Sequence, residues 1–234
     1  MENLHTKTQS SSWLDLIFNI ALPSLIMMKG SGEDQLGPVW GLVIALAFPL
    51  GYGLYDFIKK RKINFFSILG LVSILLTGGI SLLKLNPHWI AVKEAAIPGV
   101  LGLVVLISLK TKTQLIRKIL LNDNIFDTGL IESALQSKNN EAKFEKRLIH
   151  ATYLLSLSFF VSSLLNYVLA KVLLKSEPGT VGYTEELGKM TAMSYPVIVL
   201  PSLLMMGFAL WFLFSGIKKL TGLEIGMLMH KKES

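Results

Sequence analysis

The sequence contains no cysteine, which excludes disulfides, thiolate metal ligands and cysteine nucleophiles. It is also poor in charge. Only 17% of its 234 residues are Asp, Glu, Lys or Arg, against about 25% in a typical soluble domain. His88, His150 and His230 lie too far apart in sequence to suggest a metal site. The one sizeable polar segment, residues 110–148, has neither a P-loop nor a His-x-Glu pattern, so no nucleotide cradle or zinc-hydrolase helix is written there. The reading is of a protein with no cofactor, no metal and no enzymatic activity.

What the chain has in quantity is apolar sequence. Hydrophobic residues make up 51% and gather in long runs, the composition of an integral membrane protein. Six runs are predicted to span: 13–28, 39–58, 65–83, 89–109, 151–174 and 193–214. A crossing takes about 20 apolar residues, so the first is short. Its leader, MENLHTKTQSSS, holds one lysine, and no small-x-small site follows, which predicts a retained helix and not a removed signal. The expected fold is all-α: a polytopic bundle of six transmembrane helices in a single membrane domain.

Orientation follows from the basic residues. With the N-terminus in the cytoplasm, 17 of the 23 lysines and arginines fall on the cytoplasmic side, including the run KKRK at 59–62. Both termini are therefore expected to be cytoplasmic, in a bacterial inner membrane. The net charge of +7 reads as topology and headgroup contact, with no nucleic-acid partner. In the cytoplasmic loop, TQLIRKILL has the spacing of a surface helix, and Asp127 is placed to cap a second helix, TGLIESALQS.

Polar residues inside the spans are the candidates for function. Asn86 and Pro87 start a helix, Trp89 marks its interface, and Lys93 and Glu94 follow within the apolar run. Neighbours on a helix point about 100° apart, so these two are not expected to pair with each other. Lys93 is expected to snorkel outward. Glu94 is left needing another partner, with Lys171 and Lys189 as candidates, or a proton. Pro98 disturbs the hydrogen bond to the Glu94 carbonyl. Gly78 and Gly79 fall at the same depth across the hairpin, and Asn166 and Lys189 reach a similar level. Asp15, Asn19 and Asp56 form a candidate inner vestibule. Glycines 51 and 53 are expected to pack helices closely. The stretches KEAAIPGVLGL and KMTAMSYPVIVL suggest a faint internal repeat with an early proline.

The stretch LTGGISLLKLNPHWIAVKEAAIPGVLGLVVLISLKTKTQLIRKIL resembles the bacterial intracellular septation protein A family. The resemblance is carried by Gly78-Gly79, Trp89, Lys93, the exit at Leu115–Leu120 and Asn166 in LLNYVLA, with Lys189 as a further match. FNIALPSLIMMKGSG and ALAFPLGYGLYDFIKKRKINFFSILG look more like an uncharacterised bacterial relative group. The resemblance implies an inner-membrane protein of envelope maintenance or septation. It would act through membrane lipids, through envelope or division proteins, or as a homo-oligomer. The alternative is a small transporter or channel with a polar path around Glu94 and Lys93.

Overall fold

The structure, a computed structural model, describes residues 16–60, 65–111, 117 and 126–228, with the backbone alone at 56–57, 59–60, 65–67, 225 and 228. Apart from Arg117, the residues of the surface helix expected over TQLIRKILL lie outside the described residues, as do Asp15 and the Asp56 side chain.

Every element named below is helical, as expected. A π turn, Ile17–Ala21, leads into α1 (Leu22–Lys29); α2 (Gly37–Lys60), α3 (Phe65–Leu82) and α4 (His88–Ile107) follow. Then come α5 (Thr128–Ser137), α6 (Glu141–Leu173), α7 (Val181–Ser194), a second π turn (Tyr195–Val199), α8 (Leu200–Thr221) and α9 (Ile225–Leu228). The local starts follow the expected chemistry. The Asn86 side chain accepts from the His88 amide at 2.8 Å, opening α4. Asp127 accepts from the Leu130 amide at 2.8 Å, opening α5 as read from the sequence.

Among the described residues, four helical stretches are long and apolar enough to cross a membrane: Gly37–Tyr55, His88–Lys110, Glu141–Leu173 and Val181–Thr221. Ile17–Lys29 and Ile68–Leu82 are apolar but shorter. At 1.5 Å per residue, Ile17–Lys29 reaches only about 20 Å, less than a hydrocarbon layer of ~30 Å. The last two expected spans sit inside longer helices. Residues 141–150, read as a loop, are the first three turns of α6. Residues 181–192, read as an outer connection, are α7. The physical reason is capping in polar sequence. Thr180 accepts from the Tyr183 amide at 3.2 Å, and no proline interrupts before residue 196.

The chain divides into two compact units: Met1–Ala95 with Leu165–Ile198, and Ala96–Leu164 with Val199–Ser234. The first has a core in which Met27, Leu42, Ile90, Leu169, Tyr183 and Leu187 meet. Polar groups are buried with them. The Ser81 and Tyr183 hydroxyls share a hydrogen bond of 3.1 Å in a fully enclosed site. Glu186 of α7 accepts from the Lys175 amide at 2.8 Å, the Ser176 amide at 2.9 Å and the Ser176 hydroxyl at 2.8 Å. It thus ties the 174–180 connection to the helix that follows. Glu186→Ala removes the acceptor oxygens of all three bonds and is expected to cost about 1–2 kcal/mol. Limited proteolysis should then cut at 174–180 faster than in wild type; an unchanged rate would refute the tie.

The second unit centres on Phe126, Ile131, Phe144, Leu148, Leu213 and Ile217. Here the Ser156 hydroxyl reaches across to the Gly102 carbonyl at 2.9 Å. Gly102 has no side chain to obstruct Phe159 and Phe160, which would lie 3.1–3.3 Å from an added Cβ. In both units large apolar side chains also face outward, Leu75, Trp89, Val100, Leu164, Leu204 and Trp211 among them. Apolar surface of this extent suits lipid contact rather than water.

Candidate functional site

Lys93 and Glu94 sit in the second turn of α4, where the apolar sequence encloses them in the first unit. Their relation corrects two expectations. First, they do pair: Lys93 Nζ lies 2.7 Å from Glu94 Oε1. The 100° between neighbours separates Cβ directions, not the tips of long side chains, and the flexible lysine stem closes the gap. Second, Lys93 does not snorkel outward. Its ammonium reaches α3, donating to Thr77 Oγ1 at 2.7 Å, Ser73 Oγ at 3.0 Å and the Ser73 carbonyl at 3.3 Å. Ser73 is a full turn farther from the α3–α4 hairpin turn than Thr77, so the lysine points away from that turn.

The reason is the pair of hydroxyls spaced four residues apart on α3. They face α4 and form a ready acceptor set. Thr77 also donates to the Ser73 carbonyl at 3.0 Å, which fixes its lone pairs toward the ammonium. An ammonium has three donors, and four acceptors surround this one. The lysine side chain is only 7% exposed and the glutamate 26%. A buried cation is tolerated where its charge is paired and its donors are used. Ser73 and Thr77 were missed in the sequence reading. Their signal was there: two hydroxyls at i and i+4 in an otherwise apolar helix, opposite the only lysine of the next one.

The other candidates do not join this cluster. Glu94 bonds Lys93, and neither Lys171 nor Lys189, both of which are exposed. Lys189 lies on α7 one turn from Glu186. Asn166 has an interaction of its own. Gly78 packs closely, and a Cβ there would lie 3.1 Å from Leu46 Cδ1 of α2. Gly79 meets nothing within 4 Å, and the same holds for Gly51 and Gly53, so the close packing expected at those three is not made within the described chain. Of the inner vestibule, Asn19 alone has a described side chain; it belongs to the first π turn and is itself engaged.

The repeat lies elsewhere than expected. Pro98 sits within regular α-helix, whereas Pro196 lies in a π turn, so KEAAIPGVLGL and KMTAMSYPVIVL do not share a backbone. A stronger repeat joins Leu22–Met28, LPSLIMM, with Leu200–Met206, LPSLLMM. Each copy follows a five-residue π turn and carries proline at the second α position. Proline cannot donate to the turn before it, and the wider π turn accommodates the ring. The central serines match as well: Ser24 Oγ and Ser202 Oγ are both buried without a hydrogen-bond partner. One exchange, Ile26 for Leu204, is all that separates the two heptapeptides.

The fold and site define an all-helical protein with helices able to cross a membrane and a buried lysine–glutamate pair between two of them. No family model matches the chain, and no curated protein or solved structure matches it either.

Proposed function

We propose that the chain is a multi-pass inner-membrane protein in which Lys93 and Glu94 fasten α3 to α4 rather than carry a solute. The observation that supports this is the saturation of the Lys93 ammonium by Glu94, Ser73 and Thr77, which leaves it no donor for a passing ligand. The shorter helices α1 and α3 complete six spans with both termini cytoplasmic, in line with the lysine and arginine distribution. Its role is organisational. Envelope maintenance or septation, the setting implied by the resemblance, is exercised through lipids, through envelope or division proteins, or by self-association.

A second reading, transport, is favoured by one observation. The repeated π turn and LPSL segment resembles the broken helices and internal repeats from which transporters are built. Flux into proteoliposomes separates the two. The organisational reading predicts proton and ion flux equal to that of empty vesicles, for wild type and Glu94→Gln alike. Protein-dependent flux that Glu94→Gln abolishes would establish the transport reading in its place.

A further inference from the structure

Helix α6 sorts its charges by face. Glu141 and Glu145, one turn apart, turn toward Arg117, and Glu145 is ion-paired with it. Lys143, Lys146, Arg147 and His150 instead line a separate, open cleft of about 550 Å³, together with Asn140, Phe212, Lys219 and Leu220. The volume is within the ~300–1,000 Å³ of small-ligand sites. Four fixed cations face the cleft, and among the described residues no carboxylate lines it.

Arg147 is the built element. Its Nε and Nη2 donate to the Phe212 carbonyl at 2.9 and 2.6 Å, and Nη2 to Ser215 Oγ at 2.9 Å. The guanidinium carbon lies 4.0 Å from the centroid of the Phe212 ring. Gly216 makes this possible, because any Cβ there would overlap the arginine. All of these bonds go to neutral groups. Among the described residues the charge has no carboxylate partner, and the two Nη1 donors make no bond. A held, uncompensated guanidinium beside exposed lysines is suited to a phosphate oxyanion.

The place of the cleft names the source of that phosphate. On α6 the basic cluster of the first three turns ends at His150, where the apolar run 151–174 begins, with Lys171 the next basic residue, near the far end of that run; on α8 Lys218 and Lys219 follow the apolar run 193–214. The cleft therefore lies at the polar edge of two apolar segments, with Phe212 and Leu220 as its apolar wall. We propose that it binds the phosphate of an anionic phospholipid headgroup. The proposal rests on the membrane reading above.

The test uses delipidated full-length protein in neutral detergent, with thermal unfolding followed as short-chain lipid is added. Short-chain phosphatidylglycerol is expected to raise the midpoint, and short-chain phosphatidylcholine is not. Lys146→Gln/Lys219→Gln, which changes two exposed side chains, is expected to weaken phosphatidylglycerol about 30-fold, and Lys146→Gln alone about 5-fold. The control Lys171→Gln/Lys175→Gln should bind as wild type. Equal response to the two lipids, or equal loss in the control, overturns the proposal, as does wild-type binding by both cleft variants. Glycerol phosphate or inorganic phosphate binding as tightly as the lipid overturns the lipid source and assigns a soluble phosphate. Alkaline extraction of native membranes reads the membrane assignment separately. A chain released by carbonate refutes that assignment whatever the detergent titration shows.

Discussion

Replacing Lys93 with methionine is expected to destabilise the protein by about 3 kcal/mol, at the lower end of the ~3–5 kcal/mol for breaking a buried ion pair. The methionine fills the space of the stem, so the loss is electrostatic. Glu94 loses its ion-pair partner beside apolar neighbours, and Ser73 and Thr77 lose the donor they share. The effect stays at the lower end because the glutamate side chain, 26% exposed, is less enclosed than the lysine. Glu94→Gln should cost less, about 1–2 kcal/mol, since the two α3 hydroxyls and the Ser73 carbonyl still hold the ammonium. Lys93→Met/Glu94→Met removes both charges and should return to within about 1 kcal/mol of wild type. With the single variant Glu94→Met added, unfolding of wild type, the two methionine singles and the double in detergent micelles yields the coupling energy. Additive losses in the double variant would show that the pair does not act as a unit.

The second large effect is expected at Gly188. A methyl group there would stand 2.8 Å from Met27 Cβ, 2.9 Å from Met28 Cγ and 2.9 Å from the Ser24 carbonyl. The carbonyl and the Met27 Cβ cannot swing aside, so α1 and α7 must separate. Overpacking of this kind costs about 1–3 kcal/mol, and Gly188→Ala is expected at the top of that range. Gly51→Ala and Gly53→Ala supply the contrast. Their added carbons meet nothing within 4 Å, so stability should hold or rise by up to ~1 kcal/mol from helix propensity. Unfolding midpoints decide it, and a Gly188→Ala protein as stable as wild type would refute the α1–α7 packing.

This contrast shows what was legible in the residues. The helical class, the α4 start at Asn86 and the Asp127 cap depend on local chemistry, and they were read correctly. Glycine spacing alone did not say which glycines pack. Gly188 sits in a polar stretch that was read as a connection, yet a methyl group there would stand 2.8–2.9 Å from three atoms of α1, while at Gly79, Gly51 and Gly53 it would meet nothing within 4 Å among the described residues. The pairing of Lys93 with Glu94 was excluded by an argument about Cβ directions. What decided it was the reach of the side chains and the hydroxyls of Ser73 and Thr77, which only the packing of α3 on α4 brings into range. The LPSL repeat was present as letters. Its meaning came from the π turn before each copy and from the two serines left without partners.

The central claim is that the Lys93–Glu94 pair is a dry fastening. The absence of native cysteine makes it directly testable. Ser73→Cys and Thr77→Cys each place a thiol beside the Lys93 ammonium, and Ser137→Cys places one on the exposed surface of α5. In leaky membrane vesicles, open to reagent from both sides, a charged thiol reagent is expected to label residue 137. It should leave 73 and 77 unlabelled until the protein is denatured. Labelling of 73 or 77 in the folded protein would mean that water reaches the pair, and would contradict the account.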